Sequence, residues 1–279
     1  MLKAFLSESE RGITPHTWWD YEFAGHNKEA TLELKALFDG DAPFDTPKPV
    51  RLMKRLIELF CFGNELVLDF FSGSAAFGHA AMQFAAENNK KIRFALVQFP
   101  EPTSRRDYES IFDIAAERIR RAGNLLRKNA SAGGLDVGFR VFKLAQSNIR
   151  AWEPVPSDLE GTLLANAEHI VPGRTEQDIL YELLLKLGLD LCVPIETHEI
   201  AGKTVHAIGG GALMVCLADG LTKDVGESLS AGIVAWWKQL APAVETRVVF
   251  KDSGFADDVA KANMAAILNQ NGILDVRSL

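Results

Sequence analysis

Cysteine is scarce in this chain: Cys61, Cys192 and Cys216 stand far apart, with no CxxC pair. An odd number at such spacing excludes a disulfide framework and a zinc ribbon, so three buried thiols in a reducing cytoplasm are expected. No apolar run approaches the roughly 18 residues that a membrane helix takes, and no membrane partner is expected. The opening stretch MLKAFLSESERG holds neither an apolar core nor a cleavage site, so no secretory signal is read. A strong basic excess is missing too. The formal net charge is −7, and its two halves differ: residues 1–150 carry 21 Lys+Arg against 19 Asp+Glu, the remainder 9 against 18. The back half repels phosphate, so any nucleic-acid contact is expected in the front half and is weak for this chain on its own. Phosphate-loop glycines are also absent. Neither G-x-G-x-x-G nor Gly-Lys-Ser/Thr occurs where the glycine loop lies, which excludes a dinucleotide fingerprint and a Walker loop there.

What is present suits a packed core. The 279 residues are 47% hydrophobic and 24% charged, enough for one large domain or two small ones. Asn27 is positioned to cap a helix from about Lys28 to Phe38. A basic amphipathic helix follows Lys48-Pro49, with proline at a helix start, where its missing N–H costs little. The apolar run Leu66–Phe71, a Ser72-Gly73-Ser74 loop, a helix from Ala75 to Glu87 and a second apolar run at Ile92–Gln98 read as a βαβ unit with a buried parallel sheet. A long helix spans about Asp107–Lys128, its arginines read as a solvated face rather than a DNA track, and a third strand is expected at Phe139–Leu144.

Periodicity is lost around Trp152–Pro172, where a domain boundary is expected. The back module reads as a helix at Thr175–Leu187 opened by a capping box, a hairpin at Glu199–Ile208 and a strand at Ala212–Leu217. Helices starting near Leu221 and Leu229, a strand at Thr246–Phe250 and a closing helix at Asp257–Asn269 follow. Trp236-Trp237 reads as packing.

The strongest local signal is Asp69-Phe70-Phe71-Ser72-Gly73-Ser74 at a strand end. A glycine loop lets backbone approach a ligand, the following helix N-terminus favours negative charge, and the acid can receive an ammonium or a hydroxyl. The plainer reading is a strand-to-helix turn that needs one glycine. His79 and the cysteines have no metal spacing.

That hexapeptide resembles the D-x-F-x-G-S-G-T-T methionine loop of amino-methylating DNA methyltransferases. Lys48-Pro49-Val50 resembles the K-P segment preceding that loop. Trp18-Trp19 and Gly25-His26-Asn27-Lys28-Glu29-Ala30 are similar to the stretch before it in type III restriction–modification modification subunits. Val97-Gln98-Phe99-Pro100-Glu101 is similar to the V-Q-L-P-E ending their second strand. Tyr181-Glu182-Leu183-Leu184, and Asp252-Ser253-Gly254-Phe255 with Lys261 and Asn263, resemble their C-terminal module. The order of these matches carries more than any one of them.

The resemblance implies a partial Rossmann-like α/β sheet that binds S-adenosylmethionine, followed by a smaller α/β module. Residues 1–47 would end a target-recognition segment, 48–152 would form the cofactor-binding half, and 153–279 an association module. Asp69, Phe71, Ser72, Gly73 and Ser74 would lie along the methionine part of the cofactor, with Lys48 and Pro49 flanking it and His26 and Asn27 nearby. Gln98 or Glu101 would hold the ribose hydroxyls. Two departures stand out. The loop's second glycine and both threonines are replaced by Ala75, Ala76 and Phe77. The D-P-P-Y-type tetrapeptide that holds an extruded adenine is absent, since no two of the eleven prolines are adjacent. The chain therefore reads as the back portion of a modification subunit, whether fragment, split gene or truncated frame, and is expected to be inactive alone. The competing reading is a non-catalytic association module with a degenerate loop. Without a catalytic half beside it, the Leu66–Phe71 strand would be an exposed apolar edge, expected to be covered by another copy, a companion chain or a rearranged segment.

Overall fold

A computed structural model describes residues 16–62, 64–129, 135–150, 156–158, 161 and 169–279. The chain divides into two compact units between Phe139 and Arg140. The boundary expected near Trp152 starts on residues outside those described.

The first unit opens with α1 (Tyr21–Ala24), capped by the Asp20 carboxylate, which accepts the Phe23 N–H. Gly25 closes it at φ +80°, where a Cβ would also lie 2.9 Å from Cβ of Pro49. Helix α2 (Asn27–Leu37) is capped by His26 rather than by Asn27, because the imidazole Nδ1 accepts the Glu29 N–H at 3.0 Å. Helix α3 (Val50–Phe60) buries Val50 and Ile57, which with Cys61 cluster with Ala80, Ala81 and Phe84 of α4 (Ala76–Asn88). Strands β1 (Leu66–Asp69) and β2 (Arg93–Leu96) pair in parallel, with Leu66 opposite Arg93 and Asp69 opposite Leu96. Helix α5 (Ile111–Asn129) then packs Ala115, Ile119 and Ala122 into a cluster with Ala75, Met82 and Val137.

The parallel pair is not a buried sheet. Val67 and Phe94 join the helical core, while Leu66 and Leu68, on the opposite face of the pleat, stay exposed. The third strand expected at Phe139–Leu144 does not form. Phe139 packs into the α5 cluster, whereas Phe142 meets Tyr181 edge to face and Arg140 donates to the Tyr181 hydroxyl. Side chains pulled to different anchors leave no strand for a ladder.

In the second unit, α6 (Glu176–Lys186) carries the expected capping box between Thr175 and Asp178. Strands β3 (Ile195–Ile200) and β4 (Lys203–Ile208) form the hairpin, beginning earlier than its sequence suggests. Strand β5 (Leu213–Cys216) runs antiparallel to β4. Helix α7 (Lys223–Leu240), β6 (Arg247–Phe250), α8 (Asp258–Gln270) and β7 (Asp275–Ser278) complete a five-stranded sheet of order β3-β4-β5-β6-β7, in which the last three strands are parallel.

Both faces of the central strands are covered. Met214, Cys216, Val248 and Phe250 pack with residues of α7 and α8, and Leu213, Val215 and Val249 with residues of α6. That double burial is why β5 reads as an unbroken apolar run. A single helix replaces the two expected near Leu221 and Leu229. Trp236 stacks on His198 at 3.9 Å and Trp237 donates to the Thr246 hydroxyl at 2.9 Å, so both tryptophans pack as expected. Cys61 and Cys216 are buried, but Cys192 is exposed, against expectation. Among the described residues no helix is long and apolar enough to cross a membrane.

Candidate functional site

The bend after β1 is stitched from several directions. Asp69 ends the strand, and its Oδ1 accepts the Phe71 N–H at 3.1 Å. The Asp69 carbonyl takes the Val97 N–H at 2.8 Å, and the Ser72 N–H returns to the Val97 carbonyl at 3.2 Å. Gln98 folds back onto the loop: its Oε1 accepts the Gly73 N–H at 2.7 Å and its Nε2 donates to the Phe99 carbonyl at 3.0 Å. Gly73 sits at φ +50° and the buried Ala75 at φ 59°. The alanine thus holds a left-handed conformation that costs an L-residue about 1–2 kcal/mol. Helix α4 begins directly after it without a side-chain cap. Ser72 and Ser74 are buried, whereas Phe71 is 92% exposed.

A charged group lies beneath the bend. Arg118 of α5 is fully buried, and its Nη1 donates to the Ser74 hydroxyl at 2.9 Å, while its Nε and Nη2 have no partner. For Arg118 this corrects the reading of the helix arginines as a solvated face, whereas Arg120 and Arg127 are exposed in keeping with it. Arg118 falls in register with Ile111, Ile114, Ala115 and Ala122, on the inward stripe. Burial lowers its pKa to about 10, opposed by the charge of Glu33. Glu33 is itself raised, chiefly by burial, although its Oε2 accepts the Val50 N–H at 3.0 Å.

His79 on α4 is pushed down to about 3 by burial and by the Arg118 charge. Its folded pKa lies below the unfolded value, so its contribution to stability is complete above about pH 6.5 and is lost as pH falls toward 3. Between pH 6.5 and 5 this amounts to about 2 kcal/mol. The melting temperature of His79→Gln, followed by circular dichroism, is expected to fall less over that interval than that of the wild type.

Other sequence-selected residues gather beside the α3 N-terminus. Pro49 is buried against Gly25, Arg51 pairs with Glu29, and Arg51 also donates to the Glu22 carbonyl. Lys48 is exposed. His26 spends its Nδ1 on the cap, and Asn27 gives its carbonyl to the Thr31 hydroxyl at 2.9 Å. Glu101 is anchored through its backbone, whose carbonyl accepts the Ile111 N–H at 2.9 Å, and the residue is exposed.

Glu33, Phe44 and Arg118 were not singled out from sequence. A Cβ on Gly73 would meet the Phe44 ring at 3.4 Å. A charged residue on the apolar stripe of α5 was the available signal for Arg118. The described residues hold no cluster of side chains suited to a metal. The arrangement offers a carboxylate at a strand end, glycine-permitted backbone approach and an uncapped helix start above a buried cation.

Residues 3–94 match the DNA methylase family. Over 233 residues, 81% of this chain, the sequence is 30% identical to the type III restriction-modification enzyme EcoP15I Mod subunit of Escherichia coli, of which that stretch is 34%. It is 33% identical over 149 residues to the StyLTI Mod subunit of Salmonella typhimurium, covering 51% of this chain and 22% of the relative. A third relative, the EcoPI Mod subunit of Escherichia phage P1, is 28% identical over 71% of this chain and 31% of its own length. In sequence the chain is similar to type III Mod subunits and, over residues 3–94, to the DNA methylase family. It spans about a fifth to a third of the length of these Mod subunits. Within this Mod-like chain, the DNA methylase match takes in Lys48, Pro49 and the whole 69–75 bend and ends inside β2.

Proposed function

We propose that the first unit is the S-adenosylmethionine-binding part of a type III adenine-N6 DNA methyltransferase, with a Rossmann-like sheet, and that residues 153–279 serve subunit contact. The observation carrying this reading is the bend itself. Asp69 stands at the strand end, glycine allows close backbone approach, and an uncapped helix follows. The group fits these donors: a carboxylate suits its ammonium, and helix-start N–H groups suit its carboxylate. When bound, the cofactor supplies an activated methyl group.

Asp69 would hold the amino group, the 71–74 backbone would follow the methionine chain, and Pro49 with Lys48 would border it. Gln98 is already committed to the loop, which leaves Glu101 as the acceptor for the ribose hydroxyls and Gln98 as a positioning residue. His26 and Asn27 would act through the α2 cap, away from direct contact. In the complete enzyme DNA would be the substrate. This chain alone, without a D-P-P-Y-type tetrapeptide, is expected to give no methyl transfer to adenine-containing DNA yet to show saturable calorimetric binding of S-adenosylmethionine. Robust turnover by the chain, or absence of binding, overturns the reading. The second reading, a pure association module, draws on Ala75, Ala76 and Phe77 and predicts no binding.

Leu66, Leu68, Phe70, Phe71, Val97 and Phe99 are at least 49% exposed around the uncovered strands. A patch of this kind marks an association site, for a second copy or a companion subunit. Sedimentation is expected to show concentration-dependent self-association that Leu68→Glu with Phe71→Glu weakens by about tenfold or more. A monomer at all concentrations, with these strands open to water, contradicts the association reading.

A further inference from the structure

The five-stranded sheet ends on one side at β3, and this edge is long and open. Its six residues run Ile-Glu-Thr-His-Glu-Ile, and Glu196, Thr197, His198 and Glu199 are exposed. Helix α7 covers one face of the strand, where Trp236 stacks on His198 and Gly232 lets the helix close on Ile200. The edge itself has no backbone partner among the described residues. A strand left in this state is a template for pairing with another chain.

The hairpin fixes which backbone groups point outward. Ala201 and Gly202, at φ +52° and +72°, make a two-residue turn, so Ile200 and Lys203 form a hydrogen-bonded pair. Alternation from that pair ties His198 and Glu196 to β4 and turns the N–H and C=O groups of Ile195, Thr197 and Glu199 outward. The 3.0 Å contact between Thr197 Oγ1 and His206 Nδ1 agrees, because side chains stand closer in a pair that exchanges no backbone bonds.

We infer that β3 pairs antiparallel with β3 of a second copy, about a two-fold axis at Thr197, so that the two sheets become one. The inference deepens the reading of residues 153–279 as a contact module by naming the surface and its occupant. Outward groups must meet outward groups, which with most of the strand overlapping places the axis on Glu196, Thr197 or His198. An axis on Glu196 sets that carboxylate against its own copy. An axis on His198 opposes two imidazoles and sets Glu196 against Ile200. The Thr197 axis sets Glu196 against His198 of the second copy, and symmetry repeats this pair. Both fall at the closer, non-bonded positions, where an imidazole N–H reaches a carboxylate. Residues that oppose each other share a face of the pleat, so Glu196 cannot oppose Glu199 in any of these registers.

Sedimentation of the full chain carrying Leu68→Glu with Phe71→Glu, which removes the association patch of the first unit, tests the pairing. In that parent, Glu196→Lys sets a second cation against His198 and is expected to weaken self-association by about tenfold or more. His198→Glu sets two carboxylates together and is expected to do the same. Combining Glu196→Lys with His198→Glu rebuilds both opposite-charge pairs and is expected to return the affinity to within about threefold of the parent. Thr197→Pro removes an outward N–H without taking a bond from β4 and is expected to abolish pairing, with circular dichroism reporting the fold. If that variant misfolds, the charge exchange decides. Single variants without effect, or a double variant weaker than either single one, overturn the strand pairing while residual self-association keeps a contact role for the module. A parent that stays monomeric at all concentrations overturns the pairing together with that role toward a second copy.

Discussion

Gly254→Ala is expected to lower the melting temperature of the second unit by about 10 °C, a loss of about 3 kcal/mol. A Cβ at this position would stand 2.4 Å from the Ala218 carbonyl oxygen. The obstacle is backbone, so no side chain can rotate away, and the carbonyl itself has to move. The same turn holds Leu221: its N–H donates to the Gly254 carbonyl at 2.9 Å, and its own carbonyl accepts the Ala256 N–H at 3.1 Å. Leu221 is fully buried among Val205, Cys216 and Phe250. Displacing the turn therefore disturbs packing where the parallel strands end. Gly202→Ala makes the control. It sits at φ +72° with no heavy atom within 4 Å, so it is expected to lose only about 1 kcal/mol of backbone strain. Scanning calorimetry of the two variants separates a close approach from simple left-handed strain.

Asp69→Asn is expected to weaken S-adenosylmethionine binding by about thirtyfold while leaving the melting temperature unchanged. Asparagine keeps an oxygen for the Phe71 N–H, so the bend stays folded and only the charge is lost. A charge-assisted hydrogen bond contributes about 1.5–3 kcal/mol, twice a neutral one, and the missing carboxylate also removes the counter-charge for the ligand's ammonium. Calorimetry checks the affinity and circular dichroism the fold. Unchanged affinity would remove Asp69 from the site.

The local alternation of apolar and polar residues made most elements legible in the sequence. Leu66–Asp69, the glycine bend and α4 are encoded within a dozen residues of one another, and the Thr175–Asp178 capping box announces α6 by itself. What escaped depends on partners distant in sequence. Arg118 is 44 residues from Ser74, and its place on the apolar stripe of α5 signals burial without naming that partner. His26 displaced Asn27 as the cap because an imidazole nitrogen can accept as well as an amide oxygen, and position alone does not decide between neighbours. Strand β7 is Asp275-Val276-Arg277-Ser278, too polar and too short to signal a strand. It forms because β6 offers a parallel edge, with Arg247 pairing to Asp275 at 2.7 Å. Phe139–Leu144 erred in the opposite sense, being apolar enough for a strand that its surroundings do not accept.

Asp69 ends a strand and the Phe71–Ser74 loop leads into a helix, the local structure the sequence suggests, and Gln98 joins the loop. The choice between Gln98 and Glu101 was open in sequence because both follow the second strand. The carboxamide of Gln98 folds back onto the loop, which is why Glu101 is the acceptor proposed for the ligand.

Hydrogen-exchange mass spectrometry of the chain with and without saturating S-adenosylmethionine addresses the location of binding as well as its occurrence. Slowed exchange is expected in peptides spanning residues 66–78 and 97–101, with none in residues 203–279. Unaltered exchange through 66–78, or protection found only in the second unit, would contradict the assignment of the Asp69–Ala75 bend as the cofactor site.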